Sequence, residues 1–270
     1  MAREIGKQTG KEESAPVKPI TLEQTVNLAI LAGEVMLMNG AETSRVEETM
    51  EHIARAGGAG EVESFVIPTG VFLTVTDPAG QSITTMRRVR DRTINLDRIA
   101  KVNELSRRLA DNRLDFAEAS ALLGRISRER TGFSLFPSML AAGLVGGAYA
   151  VLQNGMPSEV AAAFFSAFIV RYIAHIVSRL HGVRFTFEFL GALVAALVGT
   201  ILHGFWPVLG RDIIIVGGIM PLVPGVAITN AIRDIIAGDL LSGISRGAEA
   251  ALTSMAVAMG VVIILAVAGW

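Results

Sequence analysis

Residues 217–246, GGIMPLVPGVAITNAIRDIIAGDLLSGISR, start as an apolar helix and are then interrupted. Pro221 and the pair Pro224-Gly225 fall within one short stretch. Each proline removes a backbone donor and clashes with the carbonyl one turn back. The helical pattern resumes with Asn230, Arg233, Asp234 and Asp239. In hydrocarbon every backbone polar group needs a partner inside the protein, so such a break is tolerable only where it lines packed protein or a watered cavity. Ionisable residues just beyond it mark a substrate or ion path by default. Discontinuous helices near the bilayer midplane are a common way to build a transporter site. The competing reading is a proline-kinked helix that ends early, with its charges already in the cytoplasm.

The rest of the chain supports a membrane setting. It has 270 residues, 51% hydrophobic and 18% charged, with a mean hydropathy of +0.50, too apolar for an average soluble domain. Residues 1–130 hold 18 of the 24 Lys and Arg and 19 of the 25 Asp and Glu. That asymmetry divides the chain into a polar half and a membrane half. Each half is close to neutral, which points away from nucleic acid. Cysteine is absent, excluding disulfides and thiolate metal sites. The first twenty residues lack an apolar core, so no signal peptide is expected.

Residues 1–19, rich in Lys, Glu, Gly and Pro, read as a disordered tail. Helical spacing predicts a first helix over 21–38, stopped by Asn39-Gly40. A second helix follows, with Ser44 and Glu47 as its capping box and Val46, Met50, Ile53 and Ala54 as its apolar stripe. Three β-rich runs, 62–67, 71–76 and 82–86, predict an antiparallel meander with turns at Pro68-Thr69-Gly70 and Asp77-Pro78-Ala79-Gly80. Two more helices are expected over 93–110 and after Asp115. These make one α+β domain over residues 20–130, large enough to fold as a unit.

Residues 131–270 read as five apolar segments, about 133–152, 157–180, 185–203, 212–232 with the break, and 250–268. Each is near the roughly 20 residues a bilayer core requires. Gly143 with Gly147, Gly191 with Ala195 and Gly199, and Ala256 with Gly260 recur at four-residue spacing, the pattern of close helix packing in lipid. Arg125, Arg128 and Arg130 precede the first segment, and Arg179 and Arg184 sit in the second loop. Arg211 stands alone in the third loop and Arg246 is placed in the fourth. This distribution predicts a cytoplasmic amino terminus and an external carboxyl terminus. The fold expected is therefore a membrane all-α bundle of five transmembrane helices with an amino-terminal cytoplasmic α+β domain. Five spans without an internal repeat look like one half of a transporter built from two related halves.

Arg171 falls inside the second apolar segment, with His175 and Arg179 at successive four-residue steps on one face. A buried arginine stays charged and can grip a carboxylate bidentately. His175 can titrate near neutral pH and relay a proton. Alternatively, Arg171 pairs structurally with Asp234 or Asp212, and Arg179 snorkels to the interface. Asn230 and Asp234 share a face one turn apart, and Asp234 could bind a proton or neutralise Arg171. Asp239 lies nearer the cytoplasm, where a solvated role is expected. Glu42 and Arg45 form either a local salt bridge of little worth or, with Asn39, the cytoplasmic mouth of the pathway.

Enzyme readings fare poorly. Gly243-Ile244-Ser245-Arg246-Gly247 matches a nucleophile elbow, but no strand precedes it. There is no phosphate loop and no HExxH, and His52, His175, His181 and His203 are scattered. His52 reads as solvated. No cofactor or metal is expected.

The NGAETSRVEETM run (39–50), the VESFVIPTGVFLT strand pair (62–74) and the 217–246 stretch together resemble the threonine/serine exporter family. The resemblance covers nearly all of residues 20–268. It implies a multi-pass inner-membrane efflux transporter for a small molecule, threonine or serine first. Members with two membrane halves in one chain contrast with a split form whose second membrane subunit is separate. This chain looks like the larger subunit of that split form, for which succinate is the implied substrate. A second subunit, or a homo-oligomer, is the expected partner, together with lipid. The family's motif positions here are Asn39, Gly40, Glu42, Arg45, Pro221, Pro224, Gly225, Asn230, Arg233, Asp234 and Asp239.

The reading assigns Arg171, Pro221, Pro224, Gly225, Asn230 and Arg233 to substrate, Asp234 and His175 to the coupling proton, and Asn39, Glu42, Arg45 and Asp239 to the cytoplasmic mouth. A membrane-anchored ligand-binding or sensory domain is the alternative of another class. The broken, charged helix argues against it, because an anchor needs neither.

Overall fold

The structure, a computed structural model, describes residues 20–129, 132–178 and 185–269. The expected tail and Arg130, Arg179, His181 and Arg184 lie outside the described residues, as does the expected 130/131 domain boundary.

Helix α1 (Leu22–Met38) is the centre of the amino-terminal region. It starts at a capping box: Gln24 N–H donates to Thr21 Oγ1, and Thr21 N–H donates to Gln24 Oε1. Its sequence is apolar nearly all round, and Ile30, Met36 and Leu37 are fully buried. It ends in a Schellman motif. Gly40 adopts φ 88°, its N–H donates to Leu37 O, and Ala41 N–H reaches back to Met36 O. Helix α2 (Thr43–Ala56) follows immediately. Glu42 is its N-cap, without a side-chain capping bond, so the Ser44–Glu47 capping box does not form. Glu47 Oε1 instead accepts from Val66 N–H at 3.0 Å.

The meander forms as expected, β1 (Glu61–Ile67), β2 (Gly70–Thr76) and β3 (Ser82–Arg88), paired antiparallel in the order β1-β2-β3. Asp77 Oδ1 accepts from the N–H groups of Ala79 and Gln81, which closes the second turn. Val71, Leu73 and Val75 alternate onto the buried face of the sheet. They share one core with α1, α2, α3 (Leu96–Ala110) and α4 (Phe116–Arg128). Helix α3 starts three residues later than expected, because the Asn95 side chain takes the cap by accepting from Arg98 N–H.

The apolar half contains α5 (Leu135–Leu152), α6 (Pro157–Ser178), α7 (Thr186–Phe205), α8 (Arg211–Ile219), α9 (Gly225–Ala237) and α10 (Leu240–Val267). Four of these helices are long and apolar enough to cross a membrane, and α8 with α9 makes a fifth span if the pair counts as one. The break between α8 and α9 contains a 3-10 turn, Met220–Leu222, and bends the chain by 59°. Small residues let the helices approach. A methyl group added to Gly146 of α5 would lie 2.7 Å from Ala163 O of α6 and 2.8 Å from Gly217 O of α8.

One expectation fails here. The last helix begins at Leu240, not near Ala250, and Arg246 is a buried helical residue rather than a loop residue. Gly238 (φ 95°) and Asp239 make the turn; no proline lies between Leu240 and Ala250, and Gly243 and Gly247 are carried within the helix. At 1.5 Å per residue α10 is about 42 Å long, more than a bilayer core needs. Its first turns stand against the amino-terminal region.

Candidate functional site

Two features converge on the break between α8 and α9: an interface with the amino-terminal region and a cavity. The interface is built by the loop between α1 and α2. The Schellman turn presents Gly40 O and Ala41 O outward. Asn230 Nδ2 of α9 donates to Gly40 O at 2.9 Å, and Arg246 Nη2 of α10 donates to Ala41 O at 2.7 Å. Thr43 N–H, an orphan donor of the first turn of α2, donates to Asp234 Oδ1 at 3.1 Å. Asp234 and Arg246 lie 3.0 Å apart, both buried. Arg233 pairs with Glu42. At the edges, Ser242 Oγ donates to Val66 O, and Arg92 Nη2 lies 2.9 Å from both carboxylate oxygens of Glu249. The NGAET motif and the TNAIRD motif are therefore the two faces of one contact.

The cavity, 840 Å³ in volume, lies beside this contact. The break supplies Pro221, Leu222, Val223 and Pro224 to its wall, α6 supplies Arg171, α7 supplies Glu188, and α9 and α10 supply Asn230, Arg246 and Glu249. A smaller space of 280 Å³ adjoins it, sharing Arg171, Phe187, Pro221 and Leu222 and reaching Ser138 of α5. Arg171 thus stands between the two, and its Nε donates to Ser138 Oγ at 2.7 Å.

The structure separates the expected site residues. Arg171, Pro221, Pro224 and Asn230 line the main cavity. Gly225, Arg233, Asp234 and His175 do not line it. Arg171 pairs with neither expected acid. Asp234 is taken by Arg246, and Asp212 sits at the start of α8 near Glu159 and His203. Glu42 pairs with Arg233 and not with Arg45, which lines a 270 Å³ recess with Glu42 and Asn230. Asn39 is buried, donating from Nδ2 to Val35 O and accepting from Arg98. Asp239 is half-buried at the N-cap of α10. The GISRG sequence is helical, with no strand before it.

Four charged cavity residues were not expected: Arg92, Glu188, Arg246 and Glu249. Glu188 carried a readable signal, an acid inside an apolar segment, as costly there as Arg171. Its Oε2 is buried and, among the described residues, without a hydrogen-bond partner. Arg92 carried none, because it sits in a polar stretch and reaches the site only through the docking of the two halves.

A bundle of apolar helices with a charged cavity at a broken helix is the build of a membrane transporter. Comparison with known proteins gives the same class. The model of the ThrE family, described as "Putative threonine/serine exporter", matches residues 27–268. The chain belongs to the threonine/serine exporter family. It is 27% identical over 250 residues to "Probable succinate transporter subunit YjjP" of Escherichia coli (strain K12), covering 90% of this chain and 94% of that protein. The protein of the same description from Klebsiella aerogenes is 26% identical over 247 residues, 90% of this chain and 93% of that one. "Probable threonine/serine exporter" of Mycobacterium tuberculosis (strain ATCC 25618 / H37Rv) is 23% identical over 256 residues, 93% of this chain but 48% of that protein. No solved structure matches.

Proposed function

We propose that this chain exports a small carboxylate-bearing metabolite through the cavity at the break, threonine or serine first. The observation that carries the reading is the position of Arg171, a guanidinium on the wall of an 840 Å³ space beside the break between α8 and α9. An arginine there can hold a carboxylate by paired charge-assisted hydrogen bonds. The break at Pro221 and Pro224, both on the cavity wall, would present backbone groups to the same ligand; Gly225, which does not line the cavity, would act by permitting the break. Succinate is the second substrate, supported by the two relatives described as succinate transporter subunits. Their description as subunits also supports a second membrane subunit as partner.

In this reading residues 20–130 are a cytoplasmic domain and residues 131–270 span the inner membrane, amino terminus inside and carboxyl terminus outside. The arginines before α5 support that orientation. Export is driven by the proton gradient. Asp234 carries the coupling proton: protonation removes the charge that holds Arg246 and weakens the hold of α9 on the loop of residues 41–43. His175, one turn from Arg171, is the second candidate carrier. Glu42, Arg45, Asn39 and Asp239 lie on or beside the contact that would open as the cytoplasmic mouth.

The test is efflux from cells loaded with threonine, serine or succinate. It compares this chain alone, the chain with its second membrane subunit, and neither. Efflux only with the partner supports the split transporter, and the preferred substrate decides the class. Absence of efflux of all three with the partner present would overturn the export reading.

A further inference from the structure

The main cavity holds several charges, and most are already engaged. Arg92 lies on Glu249, and Arg246 on Asp234 and Ala41 O. Two charges stand apart. Arg171 has a hydroxyl partner, Ser138, and no carboxylate within ion-pair distance among the described residues. Glu188, in the first turn of α7, is 9% exposed, with Oε2 fully buried and unpartnered among the described residues. A carboxylate with one oxygen buried and left without a partner is costly, and the cost is removed by a cation. Asp234, the other buried acid near the break, is held by Arg246 and by Thr43 N–H.

We infer that Glu188 is the residue that receives the ammonium group of a zwitterionic substrate, while Arg171 receives its carboxylate. This rests on the export cavity proposed above and names the residue that selects the substrate class. An α-amino acid satisfies both spare charges at once. An ammonium offers three donors to a carboxylate acceptor, and a guanidinium offers a planar fork to a carboxylate. A dicarboxylate would satisfy Arg171 but would add a second anion to a cavity that already holds unpaired Glu188, which is unfavourable in a low-dielectric space. Glu188 is therefore a specificity residue that favours amino acids over dicarboxylates.

The test uses the purified full chain in lipid nanodiscs and equilibrium binding of L-threonine, succinate and 3-hydroxybutyrate, which is threonine without its ammonium. The wild-type chain is expected to bind threonine at least tenfold more tightly than 3-hydroxybutyrate. In Glu188→Gln the threonine affinity should fall to the 3-hydroxybutyrate level, with 3-hydroxybutyrate itself unchanged and succinate improved. Glu188→Asp should keep part of the preference. Equal wild-type binding of threonine and 3-hydroxybutyrate would overturn the assignment without any variant. So would wild-type threonine affinity in Glu188→Gln. In either case the cavity reading survives if Arg171→Gln loses all three ligands. Binding of none of them by the wild-type chain, both alone and in nanodiscs with its second membrane subunit, overturns both.

Discussion

Asp234 of α9 and Arg246 of α10 form an ion pair with side chains only 1% and 8% exposed, and each also holds the loop between α1 and α2. Asp234 takes Thr43 N–H, and Arg246 donates to Ala41 O. The pair therefore belongs to the interface as much as to the helix hairpin. A buried ion pair contributes little net stability when complete, because desolvation offsets the attraction. Removing one partner leaves a charge stranded and costs about 3–5 kcal/mol.

Asp234→Asn should accordingly destabilise the detergent-solubilised chain by several kcal/mol. Arg246→Gln should do the same. The double variant should recover part of the loss, because neither charge is then stranded. Thermal unfolding of the four proteins reads this out. Strictly additive losses would show that the two groups do not depend on each other. If Asp234 also carries the coupling proton, Asp234→Asn should flatten the dependence of export on external pH.

In the proposed reading Arg171 meets the substrate carboxylate; among the described residues its hydrogen-bond partner is the Ser138 hydroxyl. A hydrogen bond to a charged group contributes about 1.5–3 kcal/mol. Arg171→Gln should then lower export by about tenfold to a hundredfold, with membrane insertion intact. Arg171→Lys keeps the charge without the fork and should fall between. Ser138→Ala should cost no more than about 1 kcal/mol. Unchanged efflux by Arg171→Gln would remove Arg171 from the pathway.

The sequence made the elements easier to read than their meeting. Hydrophobic run length located α5 to α7, and two prolines located the break, because both signals are local. The alternation of Val71, Leu73 and Val75 and the Asp77 turn located the meander for the same reason. The start of α10 was hidden: the residues from Leu240 to Glu249 are too polar for a span, yet they are helical, with Ser242 and Arg246 bonded to the amino-terminal region. The partner of Asp234 was also hidden. Helical periodicity puts Asp234 and Asn230 on one face but does not say that Arg246 faces them from the next helix. The pairing of Glu42 with Arg233 instead of Arg45 links residues 191 apart in sequence, beyond the reach of any spacing argument. Glu188 was legible, because an acid in the first turn of an otherwise apolar segment is a local signal as plain as Arg171.

Gly40 shows how one turn positions the interface. Its φ of 88° is a conformation that costs a side-chain-bearing residue about 1–2 kcal/mol. An added methyl would also lie 3.2 Å from Thr93 O. Gly40→Ala should destabilise the amino-terminal region by about 1–2 kcal/mol. It should also weaken the bonds from Asn230 and Arg246 to the carbonyls of residues 40 and 41, so export should fall more than the stability loss alone explains. Gly58 also has a positive φ, 85°, but an added methyl there would meet no neighbour. Gly58→Ala should carry a strain cost and leave export unchanged. Equal export by the two variants would separate the turn from transport.

Glu47 makes the interface sensitive to pH from the other side. Burial pushes its carboxyl above the usual carboxylate range, the nearby negative charges of Asp239 and then Asp234 push the same way, and the bond from Val66 N–H pulls it back down. The folded chain therefore holds this proton more tightly than the unfolded chain does. The resulting stability is fully present below the ordinary value of 4.5 and is lost as pH rises through the higher folded value. Glu47→Gln keeps an acceptor for Val66 N–H and carries no charge. Its amino-terminal region should unfold with a flatter pH profile, and at pH about 7 it should be at least as stable as the wild type. Unfolding of both proteins, followed from pH about 4 to about 8, measures the difference. A less stable variant with the wild-type slope would mean that the Glu47 carboxylate is well accommodated and that Asp239 and Asp234 do not oppose it.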